Sequence, residues 1–180
     1  MNLKPHYLPV TLVCFLFFSS LAFAQEKLKK PQMLITERKT ISGKLKISEG
    51  ELIEVIGSAV FKVTQCNADK TLTGELTFQI EESSRKQLQE KSRKPFLSAI
   101  TLQNVIADFA KETECPVLKL EFQAIDSSRS GELLHLDRFT LDLKESKQDV
   151  SRILCYYVSC KIECRQVRRI NELLFGFADK

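Results

Sequence analysis

The chain has 180 residues, of which 43% are hydrophobic and 28% charged, with six cysteines, two histidines and a formal net charge of +4. That balance excludes a disordered chain, an integral membrane bundle and a collagen-like or low-complexity polymer. The positive excess is too small to point to a nucleic-acid partner.

Residues 1–24 predict a cleaved secretory signal. Lys4 precedes an apolar run over residues 8–18, and Ala22-Phe23-Ala24 supplies the small-x-small site before Gln25. The run is shorter than the roughly 20 apolar residues that a spanning helix needs. Export to the periplasm or the extracellular space follows, with no transmembrane segment after cleavage. The mature chain then keeps five cysteines, a single histidine (His135) and a charge of +3, since Cys14, His6 and Lys4 leave with the signal.

Residues 25–40 are polar and basic and predict a flexible lead-in. Over residues 41–82 the pattern changes to period two. Ile41, Gly43, Leu45 and Ile47 alternate with polar residues, Gly57-Ser58 breaks a second run, and Leu72, Gly74, Leu76, Phe78 and Ile80 form the cleanest alternation of all. These predict a small antiparallel β unit with one apolar face. Residues 83–95 are charged throughout and predict a linker or an exposed helical connection, ended by Pro95.

Beyond the linker, Leu102, Val105, Ile106, Phe109 and Ala110 fall on a stripe of about 140° at 100° per residue, which predicts a helix over 102–113. Leu118, Leu120 and Phe122 alternate as a strand, and residues 126–131 read as a loop. Phe139, Leu141 and Leu143 give another strand. Val150, Ile153, Leu154, Tyr157 and Val158 stripe a helix over 147–158. Strands are predicted again at Cys160, Ile162 and Cys164, and at Leu173, Phe175 and Phe177. Residues 96–180 thus predict an α+β domain, β-α-β-β-α-β-β, in which two helices lie on one face of a small sheet as a two-layer sandwich.

The segment FLSAITLQNVIADFAKETECPVLKLEF (residues 96–122) resembles the opening half of the short secretin and TonB-receptor N-terminal domain. FTLDLKESKQDVSRILCYYVSCKIECRQ, beginning at Phe139, resembles its second half. The resemblance covers about residues 96–177 and rests on apolar positions in the two helices, Leu102, Ile106 and Phe109, then Val150, Ile153 and Leu154. It implies a free-standing domain that binds a protein partner in the cell envelope. It brings no catalytic residues and no cofactor.

Cys66, Cys115, Cys155, Cys160 and Cys164 are the candidate disulfide cysteines of an exported chain. Their spacing lacks the C-x2-C of zinc sites, so no metal site is expected. No nucleophile elbow, Walker loop or dinucleotide fingerprint occurs. The expectation is therefore a non-enzymatic protein-interaction module, adaptor or signalling, docking through exposed strand edges. The alternative is a secreted small-ligand or lipid-binding β-rich protein with an apolar pocket. A third reading, a thiol enzyme, requires His135 within hydrogen-bond reach of a cysteine.

Overall fold

The computed structural model describes residues 33–46, 51–92, 98–111, 118–129, 132–144, 148–159 and 164–176. The predicted signal segment, residues 25–32 of the lead-in, Cys115, Cys160 and the end of the predicted last strand lie outside them.

Nine strands and three helices are present among the described residues. In chain order they are β1 (Leu34–Ile35), β2 (Lys39–Lys46), β3 (Leu52–Cys66), β4 (Leu72–Ile80), α1 (Glu82–Ser92), β5 (Ala99–Phe109), β6 (Lys119–Phe122), β7 (Ile125–Arg129), β8 (Glu132–Leu136), β9 (Phe139–Asp142), α2 (Gln148–Ser159) and α3 (Cys164–Phe175). All strands belong to one antiparallel sheet in the order β7-β8-β2-β3-β4-β5-β6-β9, with β1 beside β3.

The registers reduce nine strands to six paths. Leu120 faces Leu141, Phe122 faces Phe139, Ile125 faces Leu136 and Arg129 faces Glu132, all in one register. So β6–β7 and β8–β9 are the two arms of one long hairpin, interrupted at residues 123–124 and 137–138. Gly43 opposite Leu136, Lys46 opposite Leu133 and Thr36 opposite Leu143 also share a register. That brings the second arm back against the first path, β1–β2. Glu37 N donates to Asp142 O at 2.8 Å and Lys144 N to Ile35 O at 3.1 Å at this closure. Each path pairs with its chain neighbour and the last pairs with the first. The result is an up-and-down meander curled into a half-barrel, joined at one end and open along one side at the other.

The apolar face of every path turns inward. Phe61, Leu72, Leu76, Phe78, Leu120, Phe122, Leu134, Leu136 and Leu141 are all fully buried. Phe122 stacks on Phe139 at 4.7 Å and meets Phe61 edge-on at 5.0 Å. Six paths leave a narrow interior. Gly74 makes room for Phe61: a Cβ there would lie 2.7 Å from the Phe61 ring and 2.2 Å from the Lys62 carbonyl.

Helices α2 and α3 pack at the joined end, over the β3–β4 turn. Tyr157 donates to Asn67 O and Thr71 O, and Lys70 Nζ donates to Val158 O at 2.9 Å. Val150, Ile153, Leu154, Val167, Ile170 and Leu174 are buried. At the other end α1 lies along the start of β3, beyond the reach of β4. Ser84 Oγ accepts from Ile56 N at 2.9 Å and Glu81 N donates to Ile56 O at 2.9 Å, so the helix satisfies a bare strand edge.

This architecture corrects the expected two-layer α+β sandwich with two helices on one face of a small sheet. Residues 102–109 belong to strand β5, where a helix was predicted. The reason is a β-bulge. Gly74 pairs with Val105 but Leu76 pairs with Leu102, so Gln103 and Asn104 together oppose one residue, and Asn104 takes φ 57°. The bulge moves the inward face from Ile100 and Leu102 to Val105, Ala107 and Phe109. A period of two acquires one step of three and so mimics a helical stripe. Ile106, a member of that stripe, is 60% exposed. Two further differences concern the C-terminal half. Residues 126–129 of the predicted loop belong to strand β7, and the predicted strands at residues 164 and 173–175 are the two ends of helix α3. The sheet also runs unbroken from β4 to β5 across the predicted linker, most of which is helix α1.

Asn104 is the residue on which this bulge turns, because left-handed backbone disfavours side chains that are branched at Cβ. Asn104→Val is expected to destabilise the protein by about 1–2 kcal/mol, and Asn104→Gly to leave stability within about 0.5 kcal/mol, as measured by urea unfolding.

Candidate functional site

The most distinctive surface feature is the open side of the barrel. Paths β5 and β6 pair only at Asp108 with Glu121 and Phe109 with Leu120, extended by Ala110 N donating to Lys119 O at 2.9 Å. Above that point β5 and β7 diverge. Between them lies a cleft of about 560 Å³, lined by Thr101, Leu102, Gln103, Val105, Ile125, Asp126, Ser127 and Ser128. Among the described residues neither residues 99–105 of β5 nor residues 125–128 of β7 have a strand partner on the cleft side.

Two local features hold this seam apart. The bulge at Asn104 bends β5 and increases its twist. At the apex, Asp108 stands directly opposite Glu121, a like-charge cross-strand pair that opposes further zipping. Arg138 forms an ion pair with Glu121 and leaves Asp108 uncompensated by it.

His135 stands on β8 beside the seam. Its Nδ1 lies 2.7 Å from Asp126 Oδ1 and its Nε2 lies 3.1 Å from Asp137 Oδ1. The hydrogen bonds to Asp126, then to Asp137, raise its pKa above the ordinary 6.5. Partial desolvation of the ring acts against that rise. With both ring nitrogens held by carboxylates, His135 presents no free lone pair for general-base work. No cysteine is among its hydrogen-bond partners, and no group of three metal-binding side chains occurs among the described residues.

The candidate cysteines fall at the other end. Cys66 is a buried free thiol at the end of β3, and so it is not a disulfide cysteine. Burial pushes its pKa up to about 12, which makes it a poor nucleophile. Asn171 of α3 clamps its backbone: Oδ1 accepts from Cys66 N at 2.7 Å and Nδ2 donates to Cys66 O at 2.9 Å. Cys155 of α2 is disulfide-bonded. Cys115 and Cys160 lie outside the described residues, and Cys164 opens α3 with its side chain outside them. The sequence points to strand edges in general but not to this seam, because the apolar pattern of one wall predicts a helix and most of the other predicts a loop.

No protein family, no curated protein and no solved structure matches this chain. The features above are therefore read from their own chemistry.

Two outcomes are expected. The His135 ring should titrate with a midpoint above 6.5 by proton NMR. Its folded-state pKa is the higher one, so its contribution to stability is present below pH 6.5 and fades as pH rises through the folded value. His135→Gln should remove that part of the pH dependence. At the other end, Cys66 should resist iodoacetamide in the native protein. Asn171→Ala strips two buried backbone groups of their partner, which costs about 2–4 kcal/mol and should make alkylation measurably faster.

Proposed function

We propose that this chain is an exported, non-enzymatic protein-interaction module of the cell envelope, working as an adaptor or signalling element. One observation carries the reading. The described interior holds a continuous cluster of apolar side chains from Leu34 to Leu174, whereas at the seam two strand edges have no strand partner among the described residues. Unpaired strand edges present rows of backbone donors and acceptors, which are ready to pair with another polypeptide. The titratable groups fit the same reading. His135 is tied down by two carboxylates and the Cys66 thiol is kept protonated by burial, so neither is poised for chemistry.

A photo-reactive amino acid tests this in the exporting cell. Placed at Thr101 or Ser128, on the two walls of the seam, it should form discrete protein adducts. At Lys62, exposed on the outer face of β3, it should form none. Equal labelling at all three positions, or adducts at Lys62 alone, would sink the proposal.

A second reading, a secreted small-ligand or lipid binder, draws on the cleft volume, which falls within the usual range for ligand pockets. Only Leu102, Val105 and Ile125 give the cleft an apolar floor, and hydroxyl, amide and carboxylate groups line the rest. Saturable uptake of a fluorescent fatty acid, abolished by Leu102→Arg, would favour this reading over the first.

A further inference from the structure

Resting on the interaction-module reading, we propose that the seam between residues 99–105 and 125–128 accepts a single extended strand of a partner protein, with apolar and basic side chains in alternation.

The dimensions set the occupant. Residues 125–128 make three steps of about 3.3 Å, or about 10 Å of edge. The cleft of about 560 Å³ has a strand edge on each wall, and an extended strand is the element that pairs with such an edge, at a spacing of about 4.8 Å.

The walls set the hydrogen bonding. Both sides of the gap are strand edges, so an inserted strand is paired along both of its own edges. Backbone recognition on two sides needs a polypeptide. A lipid or a sugar cannot supply donors and acceptors at that repeat.

The side chains set the pattern. Leu102, Val105 and Ile125 are half-buried or buried and form the inner floor, packed against the core cluster. An inserted strand turns alternate residues toward that floor, and these must be apolar. Its other residues point outward, past Asp126 on the β7 wall, with Asp108 at the apex and Glu75 one strand behind the β5 wall. Glu75 is held by Gln103 Nε2 at 2.8 Å, a neutral partner, and Asp108 stands opposite Glu121. Arg138 and His135 are committed to Glu121 and to Asp126 with Asp137. Asp126 and Glu121 already have cationic partners, whereas Asp108 and Glu75 have none among the described residues, so these two favour cations on the incoming strand and a cation there relieves the pair at the apex.

The test uses the mature full chain and a capped six-residue peptide alternating valine and lysine. Amide exchange across residues 101–105 and 125–128 should slow by at least about tenfold at saturation, with little change in α2 and α3. The same peptide N-methylated at alternate amides should lose binding, because one of its edges can no longer donate. A valine–glutamate peptide should bind more weakly. Gln103→Lys, an exposed change on the seam wall, should weaken the lysine peptide by about fivefold and spare the fold. Protection that appears elsewhere, indifference to N-methylation, or no binding at all overturns the strand proposal. Equal affinity for the two peptides overturns its charge pattern. If seam adducts with an envelope protein form while every peptide fails, the interaction-module reading stands and strand insertion falls. If adducts also fail to form at the seam, both fall.

Discussion

Everything in this molecule depends on the return of its last strand path to its first. Thr36 bridges Leu143, and the second arm of the long hairpin runs back along β2. Without that closure the β6–β9 hairpin would hang from β5 by two residue pairs, and the aromatic cluster of Phe61, Phe122 and Phe139 would open to water. With it, six amphipathic paths share one interior. Neither half of the chain encloses a core alone, because Phe61 comes from one and Phe122 from the other. A buried aromatic cluster is worth several kcal/mol of transfer free energy, so the closure also couples the stabilities of the two halves.

The same closure explains why the two ends of the barrel differ. At the joined end, helices α2 and α3 cover the β3–β4 turn, and side chains partner named backbone groups. Asn171 satisfies Cys66, Tyr157 satisfies the turn at Asn67 and Thr71, and Thr36 Oγ1 accepts from Phe61 N at 2.9 Å. At the other end only one side of the sheet is finished. Helix α1 covers the bare start of β3 through Ser84, but the seam between β5 and β7 has no such cover among the described residues. The contrast matters because the protein has the means to blunt an edge and uses it on β3. An edge left bare beside a cleft is then a feature with a physical cause, in the bulge and the facing carboxylates.

Much of the sheet was legible in the sequence where the period of two ran undisturbed. The alternation at residues 72–80 became β4, residues 118–122 and 139–143 became β6 and β9 with one flanking residue each, and the helix over 147–158 is α2 shifted by one residue. The rest was hidden for separable reasons. A bulge at Asn104 converted alternation into an apparent helical stripe. In β7, Ile125 is followed by Asp, Ser, Ser and Arg, so this edge strand has no apolar rhythm to read. The buried stripe of α3, Val167, Ile170 and Leu174, is interrupted by Asn171, whose amide serves the backbone of Cys66. The Gly57-Ser58 pair looked like a break, yet it lies inside β3, where Gly57 accommodates the Phe78 ring. Each failure came from a long-range requirement overriding a local pattern.

The candidate site was illegible for a related reason. Its two walls are 20 or more residues apart, and no sequence motif joins them. What makes the seam notable is an unmet backbone requirement, and no side-chain motif records that. The residues that did attract attention in the sequence, the cysteines and the lone histidine, are explained by structure. Cys66 fills the end of the core beneath α3, and His135 ties the hairpin through Asp126 and Asp137. A reading based on reactive side chains would have been drawn to the joined end and to β8. Counting backbone donors and acceptors leads to the opposite side, since edge pairing is where this fold still has free energy to gain.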